Sequence, residues 1–144
     1  MNKIPIKIWR ESREIRIPRY LHSTDAAFDF ESNEDTVIHP NSLNIIGTGL
    51  KVEIPEGYEI QIRSRSGLSG RGVIVNNSPG TIDSGYRGEI KLIILNQTRR
   101  QLTIRKGDRL AQGVIAYSLQ AIFLEVGELG VGDRENKGFG STGS

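Results

Sequence analysis

Residues 76–96 read NNSPGTIDSGYRGEIKLIILN, and this stretch decides the fold. Asn77-Ser78-Pro79-Gly80 is a turn signal, and a second turn is predicted at Ser84-Gly85. The run that follows, Ile90–Leu95, is almost wholly apolar, so we expect a strand that is buried on both faces. The stretch therefore predicts a hairpin that leads into a core strand.

Short β-rich runs recur on both sides of this hairpin, and turn signals separate them. No long window has a convincing helical period, and Ser66–Gly72 is too rich in glycine for more than a short helical turn. The predicted strands are Ile4–Ile8, Thr36–His39, Leu43–Ile46, Leu50–Ile54, Tyr58–Arg63, Val73–Asn76, Glu89–Asn96, Gln101–Arg105, Leu110–Ser118 and Ala121–Val126. So many short strands indicate an all-β sandwich, jelly roll or barrel.

The composition excludes several classes of function. The chain has 144 residues, which suits one domain, and no cysteine, which excludes disulfides and thiolate nucleophiles. His22 and His39 are too few for a metal centre built from histidines. A net charge of +2 is too weak to argue for a nucleic-acid partner. We expect no membrane partner, and a cytoplasmic location, because no membrane-length apolar run and no apolar signal region are seen.

Three segments carry polar side chains that suit an anionic ligand. Arg65-Ser66-Gly67 is either an ordinary glycine-rich turn or a loop whose backbone N–H groups approach an anion. Gln112 lies in an apolar run and is either a buried, hydrogen-bonded residue or a ligand contact. Asp29 lies among apolar neighbours, so its carboxylate is either structural or close to a cation.

The hairpin and the C-terminal segment carry the other candidates. Asp83 is either a turn-capping residue or a general base beside a bound water. Tyr86 is either ordinary core or a ring that supports a sugar, and the hairpin backbone suits a planar, amide-like base edge. We expect residues 1–126 to form the β domain, whereas the glycine-rich residues 127–144 are either a frayed tail or a segment that folds over a ligand.

In this order and spacing, the five segments resemble the five motifs of the trimeric deoxyuridine triphosphatases (dUTPases). The most specific matches are NSPGTIDSGYRGEI, GDRLAQ and GFGSTG, and the resemblance runs from about Tyr20 to Gly143. It implies a distorted jelly roll, or β-clip barrel, and a homotrimer with active sites shared between subunits. It also implies hydrolysis of dUTP to dUMP and pyrophosphate, which limits uracil incorporation into DNA and supplies dUMP for dTMP synthesis.

The resemblance assigns roles by matching position. Asp83 would orient the water that attacks the α-phosphorus and would contact the sugar 3′-hydroxyl, while Tyr86 would lie under the deoxyribose and exclude a 2′-hydroxyl. The uracil edge would be held by Asn77, Gly80, Thr81, Ile82 and Lys91. The phosphates would be bound by Arg65, Ser66, Gly67 and Gln112. A lid from a neighbouring chain would use Arg134, Phe139, Gly140, Ser141 and Thr142, with Phe139 stacked on uracil.

The implied cofactor is Mg²⁺, held mainly by the substrate phosphates, with Asp29 supporting either metal-bound waters or the catalytic loop. Three positions depart from the family pattern. Ala27 and Lys137 stand where glycine is commoner, and Gly113 stands where a larger apolar residue is usual, so that a bulge at Gly113 is possible.

Three rival functions are weighed. The related dCTP deaminases share the fold but carry a catalytic glutamate where this chain has Ile93, which cannot transfer a proton. A nucleotide-gated binding or regulatory protein would use the same fold without catalysis. An oligonucleotide-binding barrel would need aromatic platforms on a basic groove, and this sequence shows no strand with interleaved arginine and aromatic residues.

Overall fold

A computed structural model describes residues 3–133 of the chain. This part is all-β apart from one helical turn, which confirms the predicted fold class. The strands are β1 Lys7–Arg10, β2 Phe28–Glu31, β3 Thr36–Ile38, β4 Ser42–Gly47, β5 Leu50–Glu53, β6 Tyr58–Ser64, β7 Val73–Val75, β8 Gly80–Ile82, β9 Lys91–Asn96, β10 Leu102–Ile104 and β11 Arg109–Tyr117; the helical turn α1 is Ser66–Ser69. No helix within residues 3–133 is long and apolar enough to cross a membrane.

The strands form four small antiparallel sheets. The largest has the order β2-β11-β6-β8, and a three-stranded sheet has the order β4-β9-β7. The other two sheets are the strand pairs β1-β5 and β10-β3. Apolar side chains from both larger sheets meet in one core, whose fully buried members include Phe30, Ile46, Ile60, Leu92 and Ile94. This core supports the strands that carry candidate residues, which are β2, β8, β9 and β11.

Eight of the predicted runs coincide with strands β3 to β7 and β9 to β11, because alternating or buried apolar residues there do pair in sheets. The first strand lies slightly later than predicted, at Lys7–Arg10. Strands β2 and β8 were not predicted. They are four and three residues long, and pairing with β11 and β6 rather than a long pattern makes them strands.

Two predictions about apolar runs are wrong. Ala121–Val126 forms no strand, since no neighbouring strand pairs with it within the described residues. Its side chains are open to solvent: Phe123 is 94% exposed and Ile122 is 88% exposed. The run Ile90–Leu95 is not buried on both faces, because Ile93 and Leu95 on the outer side of β9 are only half-buried.

Gly113 lies at a point of close contact and not at a bulge. The register irregularity of β11 against β2 falls between Arg109 and Ala111 instead. A methyl group built on Gly113 would lie 2.5 Å from Cε2 of Phe28 and 2.7 Å from Cε2 of Phe30. The two rings are packed edge to face, with centroids 5.3 Å apart. The Phe28–Phe30 pair therefore occupies the space that a larger side chain at position 113 would need.

We expect Gly113→Ala to lower the free energy of unfolding by about 1–3 kcal/mol, the usual cost of overpacking a filled core. Urea unfolding of the purified variant measures this. Gly130→Ala is the control, since no atom lies within 4 Å of the added methyl, and we expect it to leave stability unchanged. Equal stability of the two variants would show that the rings do not require glycine.

Candidate active site

The hairpin residues assigned to uracil and sugar lie around a single recess of about 180 Å³. All seven of them line it: Asn77, Gly80, Thr81, Ile82, Asp83, Tyr86 and Lys91. The structure adds Ile62, Glu89 and Ile90 to the lining, none of which the sequence singled out for this role. The hairpin therefore forms a recess within one chain.

Strand pairing and one side-chain hydrogen bond hold this recess in place. Strand β8 pairs with β6, so that Gly80 lies opposite Ile62 and Thr81 lies opposite Gln61. The turn before β8 is held to the end of β6, because the Ser78 hydroxyl accepts a hydrogen bond of 3.1 Å from the backbone N–H of Ser64. The position of the recess is thus fixed by β6, an inner strand of the four-stranded sheet.

Asp83 occupies the rim of the recess and is exposed. Its backbone carbonyl accepts a hydrogen bond of 3.0 Å from the N–H of Tyr86, which closes the turn. Its carboxylate makes no hydrogen bond or ion pair to any other residue of the described chain. The turn is therefore held by the backbone, and the Asp83 carboxylate is free to accept a proton or a hydrogen bond from a ligand.

Tyr86 is not a core residue, since it is 44% exposed. Its hydroxyl donates a hydrogen bond of 2.8 Å to the backbone carbonyl of Glu89, three residues further on. This contact folds the ring back along its own loop and places it on the wall of the recess beside Asp83. The ring consequently has one fixed edge and one face available to a ligand.

Glu89 is a structural support that the sequence reading missed. One oxygen of its carboxylate, Oε1, accepts a hydrogen bond of 2.9 Å from the backbone N–H of Gly49. This joins the base of the hairpin to the connection between β4 and β5. The available signal was a single carboxylate directly before the apolar run, in a place where a strand was predicted to begin.

A second group of candidate residues lies towards the other edge of the same sheet, around β2 and β11. In β11, Gln112 is directly opposite Asp29 of β2 and Arg63 of β6, so the three side chains share one face. Asp29 is 16% exposed, and its Oδ1 lies 2.8 Å from Nε of Arg65. The N–H of Arg65 is not directed at this oxygen, so the contact is an ion pair without hydrogen-bond alignment.

Arg109 completes this group and was not among the predicted site residues. Its Nη1 lies 3.4 Å from Oδ2 of Asp29. Its backbone carbonyl accepts a hydrogen bond of 3.0 Å from Nη1 of Arg65, at the register irregularity of β11. Asp29 therefore lies between two cations, which was one of the alternatives open for it. The arrangement favours support of the Arg65 loop over support of metal-bound waters.

Ser66 and Gly67 follow Arg65 in the single turn α1, which has no buried residue. The Gly67 carbonyl accepts a hydrogen bond of 3.1 Å from Nε of Arg71. No atom lies within 4 Å of the position where a side chain on Gly67 would begin. Arg65-Ser66-Gly67 thus forms an open, polar turn and not a packed one.

The family model described as dUTPase matches residues 13–143. The chain belongs to the dUTPase family. The deoxyuridine 5′-triphosphate nucleotidohydrolase of Nautilia profundicola is 49% identical over 96% of this chain and 98% of its own. That of Helicobacter hepaticus is 46% identical over 99% of this chain and 91% of its own.

Solved dUTPases also share the fold. The dUTPase of Staphylococcus bacteriophage 80alpha with dUPNHPP has a TM-score of 0.89 and 30% identity, covering 99% of this chain and 100% of its own. The dUTPase of phage phi11 of S. aureus, described with a structural Mg(II) ion, has a TM-score of 0.81 and 28% identity, covering 88% of this chain and 99% of its own. The all-β architecture is thus that of the dUTPase family.

In this dUTPase chain the two groups of candidate residues do not share a cavity. Asp29 and Arg109 line a second hollow of about 500 Å³, together with the segment Glu14–Arg19. No residue of that hollow lines the recess. The five residues assigned to the lid, Arg134, Phe139, Gly140, Ser141 and Thr142, and Lys137 beside them, lie outside the described residues.

We expect Asp29→Asn to lower the free energy of unfolding by about 1–3 kcal/mol, because it leaves the Arg65 guanidinium without its charge partner in a largely buried place. Chemical denaturation of the variant against the parent measures the loss. Glu34→Gln is a matched control, since Glu34 is exposed and its carboxylate has no partner within residues 3–133. If both variants were as stable as the parent, the ion pair would contribute nothing to this side of the sheet.

Proposed function

We propose that this chain hydrolyses dUTP to dUMP and pyrophosphate, with Asp83 orienting a water for attack on the α-phosphorus. The proposal rests above all on the free Asp83 carboxylate at the rim of a recess, beside the Tyr86 ring, in a member of the dUTPase family. We also propose that the reaction takes place in the cytoplasm, where the product feeds dTMP synthesis and the removal of dUTP limits uracil in DNA.

A general base must be ionised and must reach the proton that it accepts. The position of Asp83 supports this role, because its carboxylate is exposed beside the recess and no other side chain of the described chain engages it. The attacking water requires no covalent nucleophile, which agrees with a sequence that has no cysteine. The base contributes typically 10²–10⁴-fold, and the remainder of the rate comes from positioning and from stabilisation of phosphate charge.

The recess supports selection of both the base and the sugar. We propose that Asn77, Lys91 and the backbone of Gly80–Ile82 hold the uracil edge. Strand β8 is paired directly with β6, and we propose that this paired hairpin leaves no space for the 5-methyl group of thymine. The Tyr86 ring, held by its bond to Glu89, would lie under the deoxyribose and exclude a 2′-hydroxyl.

The polar group around Arg65 supports the proposed phosphate site. Arg65, Ser66 and Gly67 present a guanidinium, a hydroxyl and open backbone N–H groups, and Gln112 adds an amide on the same side of the sheet. Asp29 holds Arg65 through their ion pair, so its proposed task is to position that arginine.

The donor set fits a magnesium ion bound mainly by substrate. Within residues 3–133 no group of three or more histidine and carboxylate side chains could hold a metal. Mg²⁺ usually keeps several waters and binds through substrate phosphates with one or two carboxylates. We therefore propose that Mg²⁺ enters with the triphosphate, where it would neutralise phosphate charge, and that the protein contributes few direct ligands.

The test is a pyrophosphate-release assay with Mg²⁺ on dUTP, dCTP, dTTP and UTP, with the products resolved by chromatography. We expect release from dUTP alone, and we expect Asp83→Asn to lower kcat by roughly 10²-fold or more, as loss of a general base does. Because the carboxylate has no partner in the described chain, the variant should unfold at the same temperature as the parent.

Glu56→Gln, a change of the same kind on an exposed side chain in the β5–β6 turn, is the control and should keep full turnover. Near-normal turnover by Asp83→Asn would remove Asp83 as the base. Tight dUTP binding without release would favour a regulatory binding protein. Conversion of dCTP to a uracil product would contradict our interpretation of Ile93, which lies opposite Ile45 in an apolar part of the β4–β9 ladder.

We further propose a homotrimer. Each of its sites would combine the recess of one chain with the Arg65 group of another, meaning Arg65, Ser66, Gly67 and Gln112. Two apolar surfaces support this assembly. The outer face of the β4-β9-β7 sheet carries Leu43 and Ile45, which are 47% and 60% exposed, beside the half-buried Ile93 and Leu95. The segment 119–131 is apolar and exposed, with Phe123 at 94%. Isolated chains rarely leave so much contiguous apolar surface in water.

The same assembly gives residues 127–144 their proposed role as a lid that closes over a neighbouring site. We expect a chain that ends at Gly132 to remain a trimer, by light scattering, but to hydrolyse dUTP far more slowly than the full chain. Full activity of the shortened chain would contradict the lid. A monomer at micromolar concentration, for either chain, would contradict the trimer.

A further inference from the structure

The position of Gly88 explains how the Tyr86 ring keeps its place. A methyl group built on Gly88 would lie 2.6 Å from Cζ and 3.0 Å from Cε2 of Tyr86, and it would also clash with the hydroxyl oxygen. These three nearest atoms all belong to Tyr86. The ring therefore lies directly on the backbone of residue 88, in space that any side chain there would fill.

The backbone of Gly88 does not itself require glycine. The glycines with positive φ in the described chain are Gly49, Gly57, Gly72 and Gly107, and Gly88 is not among them. An alanine at position 88 would adopt the same backbone without strain. Since the ring is exposed on its far side, it would move and the fold would not. The Tyr86 ring thus takes the space that the missing side chain at position 88 leaves.

We infer that Gly88 is a positioning residue for sugar selectivity. It fixes where the Tyr86 ring lies, and therefore how well the recess fits a 2′-deoxyribose. The inference rests on the proposed role of Tyr86. Two contacts fix the position of the ring: its close approach to Gly88 and the hydrogen bond from its hydroxyl to the Glu89 carbonyl. A methyl group at position 88 removes the first and, by lifting the ring, breaks the second. A ring that has lost these two contacts can move aside and make room for a 2′-hydroxyl.

The experiment compares kcat/KM for dUTP and for UTP in the parent and in Gly88→Ala. We expect the ratio of the two values to fall roughly tenfold or more, with a raised KM for dUTP, because a displacement of about 1 Å in a positioning group has effects of this size. The unfolding temperature should stay that of the parent. Gly85→Ala, in the same loop, is the matched control: no atom lies within 4 Å of its added methyl, so it should keep the parental ratio.

A double-mutant cycle separates an effect on the ring from a general effect on the loop. In a Tyr86→Ala background we expect Gly88→Ala to change neither kinetic constant further, since the atoms it displaces are gone. A persistent effect there, or an equal effect of Gly85→Ala, would overturn the inference, as would an unchanged ratio in Gly88→Ala. If the parent itself fails to hydrolyse dUTP or to reject UTP, the proposed function fails first, and this inference falls with it.

Discussion

The antiparallel pairing of β11 with β2 on one side and β6 on the other is the constraint on which the rest of the structure depends. Side chains alternate between the two faces of a paired strand. In β11 this sends Ala111 into the core, opposite Phe30, and it places Gln112 on the other face beside Asp29 and Arg63. The same β6 carries β8 on its other edge. One strand register therefore positions both groups of candidate residues.

Close packing within this sheet leaves little room for other side chains. The Phe28–Phe30 pair covers β11 so closely that Gly113 has no space for a methyl group. The half-buried carboxylate of Asp29 is compensated by two guanidiniums and not by the backbone. A polar site can be held this close to a core only when its charges are paired, because an unpaired buried charge is very costly. The ion pairs and the aromatic packing thus serve the same arrangement.

Much of this could be predicted from the sequence, since most strands are apolar or alternating runs with turn signals around them. Strand β2 was not predicted, although Phe28-Asp29-Phe30-Glu31 does alternate, and its strand conformation depends on pairing with β11, which is distant in sequence. The run Ala121–Val126 has a strand composition but no partner within the described chain. The hairpin residues were recognisable as a set, whereas Glu89 and Arg109 were not. Their roles depend on contacts with Gly49 and Asp29, which are distant in sequence.

The separation of the recess from the Arg65 group has a genetic consequence on the proposed assembly. An inactivating substitution of Asp83 and one of Arg65 would affect different parts of a shared site, which two different chains contribute. Two chains, each inactive through one of these lesions, would form mixed trimers in which some sites take both intact halves. Such a pair of alleles would complement each other inside one cell, and the restored activity would disappear on dilution of the mixed protein below its association range.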